Sequence, residues 1–136
     1  MSLVVTKKLK EFQYFSPTTV VEAVSILKDY TSKVKVLAGG TDLLSLMKLR
    51  AVTPECIVNL KEIAGLDYIR KEGNELRIGA LTTIATILTS DLIKQYCFSL
   101  YEAATVFATP QIRNMATIGG NICRSSPSAD MLPPLM

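Results

Sequence analysis

The feature that most restricts how this chain can fold is a β-branched run cut short by a glycine pair. Val34 to Ala38 reads as a short buried strand, and Gly39-Gly40-Thr41 ends it. Asp42 to Leu49 then resumes with helical character. Lys48 and Arg50 stand at its C-terminal end, where the helix dipole favours cations. A second buried run, Cys56 to Leu60, follows Thr53-Pro54. Upstream, Phe12 to Phe15 is a short extended piece leading into Ser16-Pro17, because proline disfavours helix in the residue before it. Thr19 and Glu22 have the spacing of a capping box. Val20, Ala23, Val24, Leu27 and Tyr30 recur at helical spacing and predict one apolar face. Residues 1–60 therefore read strand–helix–strand–helix–strand, a first α/β lobe.

Residues 61–136 form a second, α+β lobe that opens near Ile63. Tyr68 to Lys71 and Leu76 to Ile78 flank Gly73-Asn74, the signature of a β-hairpin. Thr82-Thr83 starts a helix with Ile84, Ile87, Leu88 and later Leu92 on one face. Gln95 to Phe107 reads as one further helix, ended by Thr109-Pro110. The chain then becomes rich in glycine, serine and proline. It stops on Leu132-Pro133-Pro134-Leu135-Met136, an apolar end that would be solvated unless docked. That end predicts a truncated second lobe, and it is the expected surface for any homodimer. The alternation of elements suggests an α+β or α/β domain.

Composition excludes several functions. With 49% apolar and 20% charged residues, this is an ordinary core-forming chain. The net charge is only +3, and the densest basic run, Lys7-Lys8-Leu9-Lys10, lacks an aromatic stacking platform, which argues against nucleic-acid binding. No apolar run approaches the length of a membrane span, and the start lacks a secretory pattern. Three cysteines, odd in number and widely spaced, suit a cytoplasmic chain better than a disulfide scaffold. Histidine is absent and no C-x-x-C occurs, which argues against a zinc or iron–sulfur site and excludes histidine-based catalysis. No nucleophile–base pair is present, so no catalytic residue is assigned.

Two motifs remain that could carry chemistry. Leu37-Ala38-Gly39-Gly40-Thr41-Asp42-Leu43-Leu44 joins a strand end to a helix start through two glycines. Without a Cβ, a backbone can approach a ligand closely. Successive N–H groups can converge on an anion, the helix start adds partial positive charge, and Thr41 offers a hydroxyl. This chemistry suits a pyrophosphate, but a plain turn has the same sequence, and neither of the familiar phosphate-loop spacings is present. The second motif, Ala116-Thr117-Ile118-Gly119-Gly120-Asn121-Ile122, sets two glycines beside hydroxyl and amide side chains. It reads either as a second binding loop or as a bulged strand. Two glycine loops from separate lobes would clamp the single pyrophosphate of a dinucleotide. Asp130 could accept from ribose or ring groups, or cap a helix. Arg113 and Arg124 flank the second loop and could neutralise phosphate or simply lie on the surface. Cys123 reads as a small apolar filler.

With these motifs in place, the chain resembles the FAD-binding domain of molybdopterin dehydrogenases, within the vanillyl-alcohol-oxidase-like (PCMH) flavin fold. The resemblance runs through Phe12-Gln13-Tyr14 with Ser16-Pro17 and Glu22-Ala23, then Ala38 to Leu43. It continues through Leu76-Arg77-Ile78-Gly79-Ala80-Leu81-Thr82-Thr83 and through Gln111 to Ile122 followed by Ser126-Pro127-Ser128-Ala129-Asp130. It implies FAD as cofactor. Leu37, Ala38, Gly39, Gly40, Thr41, Asp42, Leu43 and Leu44 would lie along the pyrophosphate and ribityl. Thr117, Ile118, Gly119, Gly120 and Asn121 would lie on the flavin side, with Phe107 and Asp130 as further contacts. It also implies partners, an iron–sulfur subunit and a molybdopterin-binding large subunit. Electrons would pass from the clusters through FAD to NAD or another acceptor. Members of the family run to about twice this length, so the second lobe is expected to be incomplete.

Overall fold

The computed structural model describes residues 8–124 and 129–136. The chain divides into two compact units, Met1–Ile63 and Ala64–Met136.

The first unit is built on three parallel strands, β1 (Gln13–Phe15), β2 (Val34–Leu37) and β3 (Cys56–Asn59), in the order β1-β3-β2. Gln13 to Phe15 pair with Cys56 to Val58 on one side of β3, and Val34 to Leu37 with Cys56 to Asn59 on the other. The central strand is buried along its whole length, as expected of a parallel strand covered on both faces. The outer strand β2 is not the buried strand its β-branched sequence suggests: only Leu37 is buried, and Val36 is 43% exposed. At the edge, one face of the strand lacks cover.

Helix α1 (Val20–Tyr30) links β1 to β2. Thr19 caps it as its spacing predicts, its Oγ1 accepting from the Glu22 N–H at 3.2 Å. The return bond of the box is displaced by one residue, since the Glu22 carboxylate accepts from the Thr18 N–H at 3.0 Å. The buried face also differs from expectation. Ala23 is buried and Ile26, Leu27 and Tyr30 are half-buried, whereas Val20 and Val24 are exposed, with Val21 beside them at 81%. Helix α2 (Leu43–Lys48) follows β2. Its Leu43, Leu44 and Met47 pack with Leu37, Ile57, Leu9 and Phe12 in the core of this unit.

The second unit opens with the antiparallel hairpin β4 (Ile69–Glu72) and β5 (Glu75–Ile78), in which Glu72 pairs with Glu75. The turn between them is Gly73-Asn74, with Gly73 at φ +58°, the left-handed conformation that such two-residue turns require at their first central position. Helix α3 (Ile84–Thr89) is capped by Thr83. The long helix expected over 95–107 is instead two helices, α4 (Asp91–Tyr96) and α5 (Phe98–Val106), broken at Cys97 with φ −145° and ψ 60°. Burial overrides propensity here. The break lets Ile93 on α4 and Leu100 and Ala104 on α5 all face one core, together with Ile84, Ile87, Ala116, Ile118 and Met131.

Thr109-Pro110 does more than end a helix. Thr109 caps a further short one, α6 (Pro110–Arg113), with proline at its first position. The second glycine motif, expected as a loop, lies in α7 (Ile118–Arg124). A 3₁₀ turn over Pro133–Leu135 follows. Ser125 to Ser128, which include the Ser126-Pro127-Ser128 part of the resemblance, lie outside the described residues. No helix among the described residues is long and apolar enough to cross a membrane.

Candidate cofactor-binding site

Parallel sheets offer their ligand crevices at the carboxyl ends of their strands. In the first unit that edge is tied together by short polar contacts. The Leu60 N–H donates to the Leu37 carbonyl at 2.9 Å, joining the ends of β3 and β2. Asn59, only 4% exposed, closes β3. Its Oδ1 accepts from the Lys61 N–H at 3.2 Å and its Nδ2 donates to Ser16 Oγ, beyond β1, at 3.4 Å. Together these bonds fix the frame from which the first glycine motif projects.

Within that motif the backbone is asymmetric in its hydrogen bonding. Most of the carbonyls are engaged: Ala38 O by Lys61 Nζ at 3.2 Å, Gly40 O by the Leu44 N–H at 3.0 Å, Thr41 O by Ser45 Oγ at 2.9 Å and Asp42 O by the Leu46 N–H at 3.0 Å. The N–H groups of Gly39, Gly40, Thr41, Asp42 and Leu43 donate to no acceptor among the described residues. With most of its acceptors occupied and its donors open, the turn offers main-chain N–H groups to a ligand. Runs of free main-chain N–H groups of this kind bind phosphate and carboxylate oxygens. Gly40 sits at φ +82°. Its missing Cβ would point at the Leu37 and Leu44 side chains, 3.0 and 3.2 Å away. Glycine is therefore required there by backbone conformation and packing, beyond any clearance for a ligand.

The second motif is constructed on the opposite principle. The N–H groups of Ile118 and Gly119 donate to the Thr82 and Ala80 carbonyls, both at 2.9 Å. That of Gly120 goes to Thr117 Oγ1 at 3.1 Å, and that of Asn121 to the Thr117 carbonyl at 3.0 Å. Thr117 thus caps α7 and pairs with Thr83, the cap of α3, in an isolated antiparallel bridge. Gly119 is small because an added Cβ would stand 2.6 Å from the Ala80 carbonyl oxygen. The motif read from sequence as a binding loop is a helix seated on a neighbouring segment, with the amides of Ile118 and Gly119 serving that contact and those of Gly120 and Asn121 closing on Thr117.

The remaining candidates lie in the second unit. Asn121 Oδ1 accepts from the Met131 N–H at 3.3 Å. Phe107 is half-buried against the core, and Asp130 is exposed. Arg113 is not a free phosphate ligand. Its Nε donates to the Phe107 carbonyl at 2.5 Å, and its Nη2 to those of Thr105 at 2.7 Å and Ala108 at 3.4 Å, which caps the end of α5. Arg124 is exposed in the last turn of α7. Cys123 is also exposed, contrary to its expected role as an apolar filler. Cys56 is the buried thiol, and desolvation pushes its pKa up. Sequence reading did not find Lys61 or Ser45. Ser45 stands four residues from Thr41, a spacing that could have flagged it. Nothing in the sequence links Lys61 to Ala38.

A family model for the FAD binding domain in molybdopterin dehydrogenase matches residues 10–136. The chain belongs to this family. Among relatives of this FAD-binding family, it is 39% identical over 123 residues to the nicotinate dehydrogenase FAD-subunit of Eubacterium barkeri, covering 90% of this chain and 42% of that protein. It is 41% identical over 119 residues to the carbon monoxide dehydrogenase medium chain of Hydrogenophaga pseudoflava, covering 88% and 42%. A solved structure of reconstituted CO dehydrogenase from Oligotropha carboxidovorans matches with a TM-score of 0.89 at 38% identity, over 92% of this chain and 44% of that one. The chain thus spans less than half the length of these relatives and shares their mixed α and β content.

Proposed function

We propose that this chain binds FAD as part of the FAD-binding subunit of a molybdenum-containing dehydrogenase, with the two-lobed PCMH arrangement of flavoproteins. The observation that carries the reading is the Gly39–Leu43 turn, whose open N–H groups fit the charge and donor needs of a pyrophosphate. Family membership supplies the identity of the dinucleotide.

In this reading the residues from Leu37 to Leu44 hold the pyrophosphate and adjoining ribityl. Gly40 provides the backbone conformation that turns the amides outward, and Thr41 adds a hydroxyl. In the second unit, Thr117 to Asn121, Phe107 and Asp130 contact other parts of the cofactor. The hydrogen bonding of α7 directs the second set to work through side chains rather than through the amides of Ile118 to Asn121. When bound, FAD supplies the redox chemistry, exchanging electrons one or two at a time between iron–sulfur clusters and NAD or another acceptor. The polypeptide positions the cofactor and tunes it. The subunit would work beside an iron–sulfur subunit and a molybdopterin-binding large subunit.

The test is direct. The purified chain is mixed with FAD, desalted and examined by visible absorbance. Retained flavin bands are expected, with tighter binding of FAD than of ADP in a competing titration. A colourless protein, or equal affinity for the two, would reject the assignment.

A further inference from the structure

We infer that Lys61 is a positioning residue for the anion-binding turn: its ammonium orients the Ala38–Gly39 peptide so that the Gly39 N–H faces the bound phosphate. The inference rests on the functional reading above and concerns which side chain makes the turn competent.

Lys61 Nζ donates to the Ala38 carbonyl at 3.2 Å across 23 positions of sequence. The peptide between Ala38 and Gly39 is trans, as are all those described. In a planar trans peptide the carbonyl and the N–H point in opposite directions. Holding the Ala38 oxygen on the Lys61 side therefore sends the Gly39 N–H to the other side, among the open donors of the turn. The other engaged carbonyls are held by groups four residues away on the same segment, Leu44, Ser45 and Leu46. Lys61 holds its carbonyl from a separate strand end, and it fixes the peptide at which the turn leaves β2.

The base of Lys61 is anchored to a buried side chain. Its own N–H donates to Asn59 Oδ1, a buried side chain. It takes no carboxylate partner among the described residues, so the ammonium is not diverted to an ion pair. Because the carbonyl it grips faces away from the Gly39 donor, Lys61 acts through the backbone and not as a direct phosphate ligand.

The experiment titrates FAD into the wild-type chain, K61M and K61R, following flavin fluorescence at low and high salt, with the Gly39 amide resonance recorded in each free protein. Far-UV circular dichroism checks folding, and the exposed position of Lys61 predicts no change. K61M keeps the stem and loses the donor, so its affinity should fall about three- to tenfold, the range of one net hydrogen bond at an exposed position. K61R restores the donor and should recover the wild-type affinity and the Gly39 resonance. The salt dependence should be the same in all three. Wild-type affinity in K61M, or no recovery in K61R, overturns the inference and leaves the FAD assignment standing. A weaker salt dependence in K61M makes Lys61 a direct ion-pair ligand and overturns the positioning role. Absence of FAD binding by the wild type overturns the functional reading itself.

Discussion

A Cβ built on Gly119 would lie 2.6 Å from the Ala80 carbonyl oxygen, and one on Gly79 only 2.3 Å from that of Leu66. Both obstacles are backbone, which cannot rotate aside as a side chain does. At Gly40 the obstacles are the ends of two leucine side chains, and the cost is set by φ at +82°. Left-handed backbone costs a residue with a Cβ about 1–2 kcal/mol. The two glycine pairs look alike in sequence and are glycine for different reasons. Gly119→Ala should lower stability by about 1–3 kcal/mol or more through overpacking. Gly40→Ala should lower it by about 1–2 kcal/mol and should also weaken FAD binding, because it disturbs the turn that carries the open amides. Urea unfolding and FAD titration of the two variants separate these effects. A Gly119→Ala chain of undiminished stability would contradict the close packing described above. The sequence shows that glycine is needed at both places. It does not show whether the neighbour is a ligand, a leucine three or four residues away as at Gly40, or a carbonyl from a distant segment as at Gly119, because that depends on how the chain packs.

Helices show the same division between local and distant causes. The cap at Thr19, the hairpin at Gly73-Asn74 and the strand–helix–strand order of the first unit were legible, since each rests on spacing or on backbone conformation within a few residues. The exposed face of α1 and the break at Cys97 were not. Val20 and Val24 have the right period but stay exposed among the described residues, and Cys97 lies in a run with no glycine or proline to mark a boundary. The end of α5 is also held from a distance. Arg113 reaches back from α6 to the carbonyls of Thr105, Phe107 and Ala108, and Ala108 is left-handed at φ +39°. Such a cap satisfies carbonyls that a helix leaves unpaired and opposes the dipole. Arg113→Met should therefore destabilise the second unit by about 1–3 kcal/mol. Lysine at this position should recover only part of the loss, because a single ammonium cannot reproduce the planar fork. The urea midpoints of the three proteins check this, and equal midpoints would mean that the end of α5 is stable without the guanidinium.

The two glycine motifs differ in whether their N–H groups are left open, and this makes the cofactor reading testable by amide exchange. Without FAD, the N–H groups of Ile118 to Asn121 should be protected by their bonds to Ala80, Thr82 and Thr117, whereas those of Gly39 to Leu43 should exchange freely. Ligand that binds only the folded chain at a hundred times its dissociation constant adds about 2.7 kcal/mol of stability. The buried amides of β3, which open only when the first unit unfolds, should then slow about a hundredfold. The Gly39 to Leu43 amides should gain protection through direct contact. Those of Ile118 to Asn121 should change only as much as the rest of their own unit, since they have no donor left to offer. If they exchange freely in the free protein and become protected on adding FAD, the second glycine pair grips the cofactor through its backbone after all. The helix start described for α7 would then have to open before the flavin could bind.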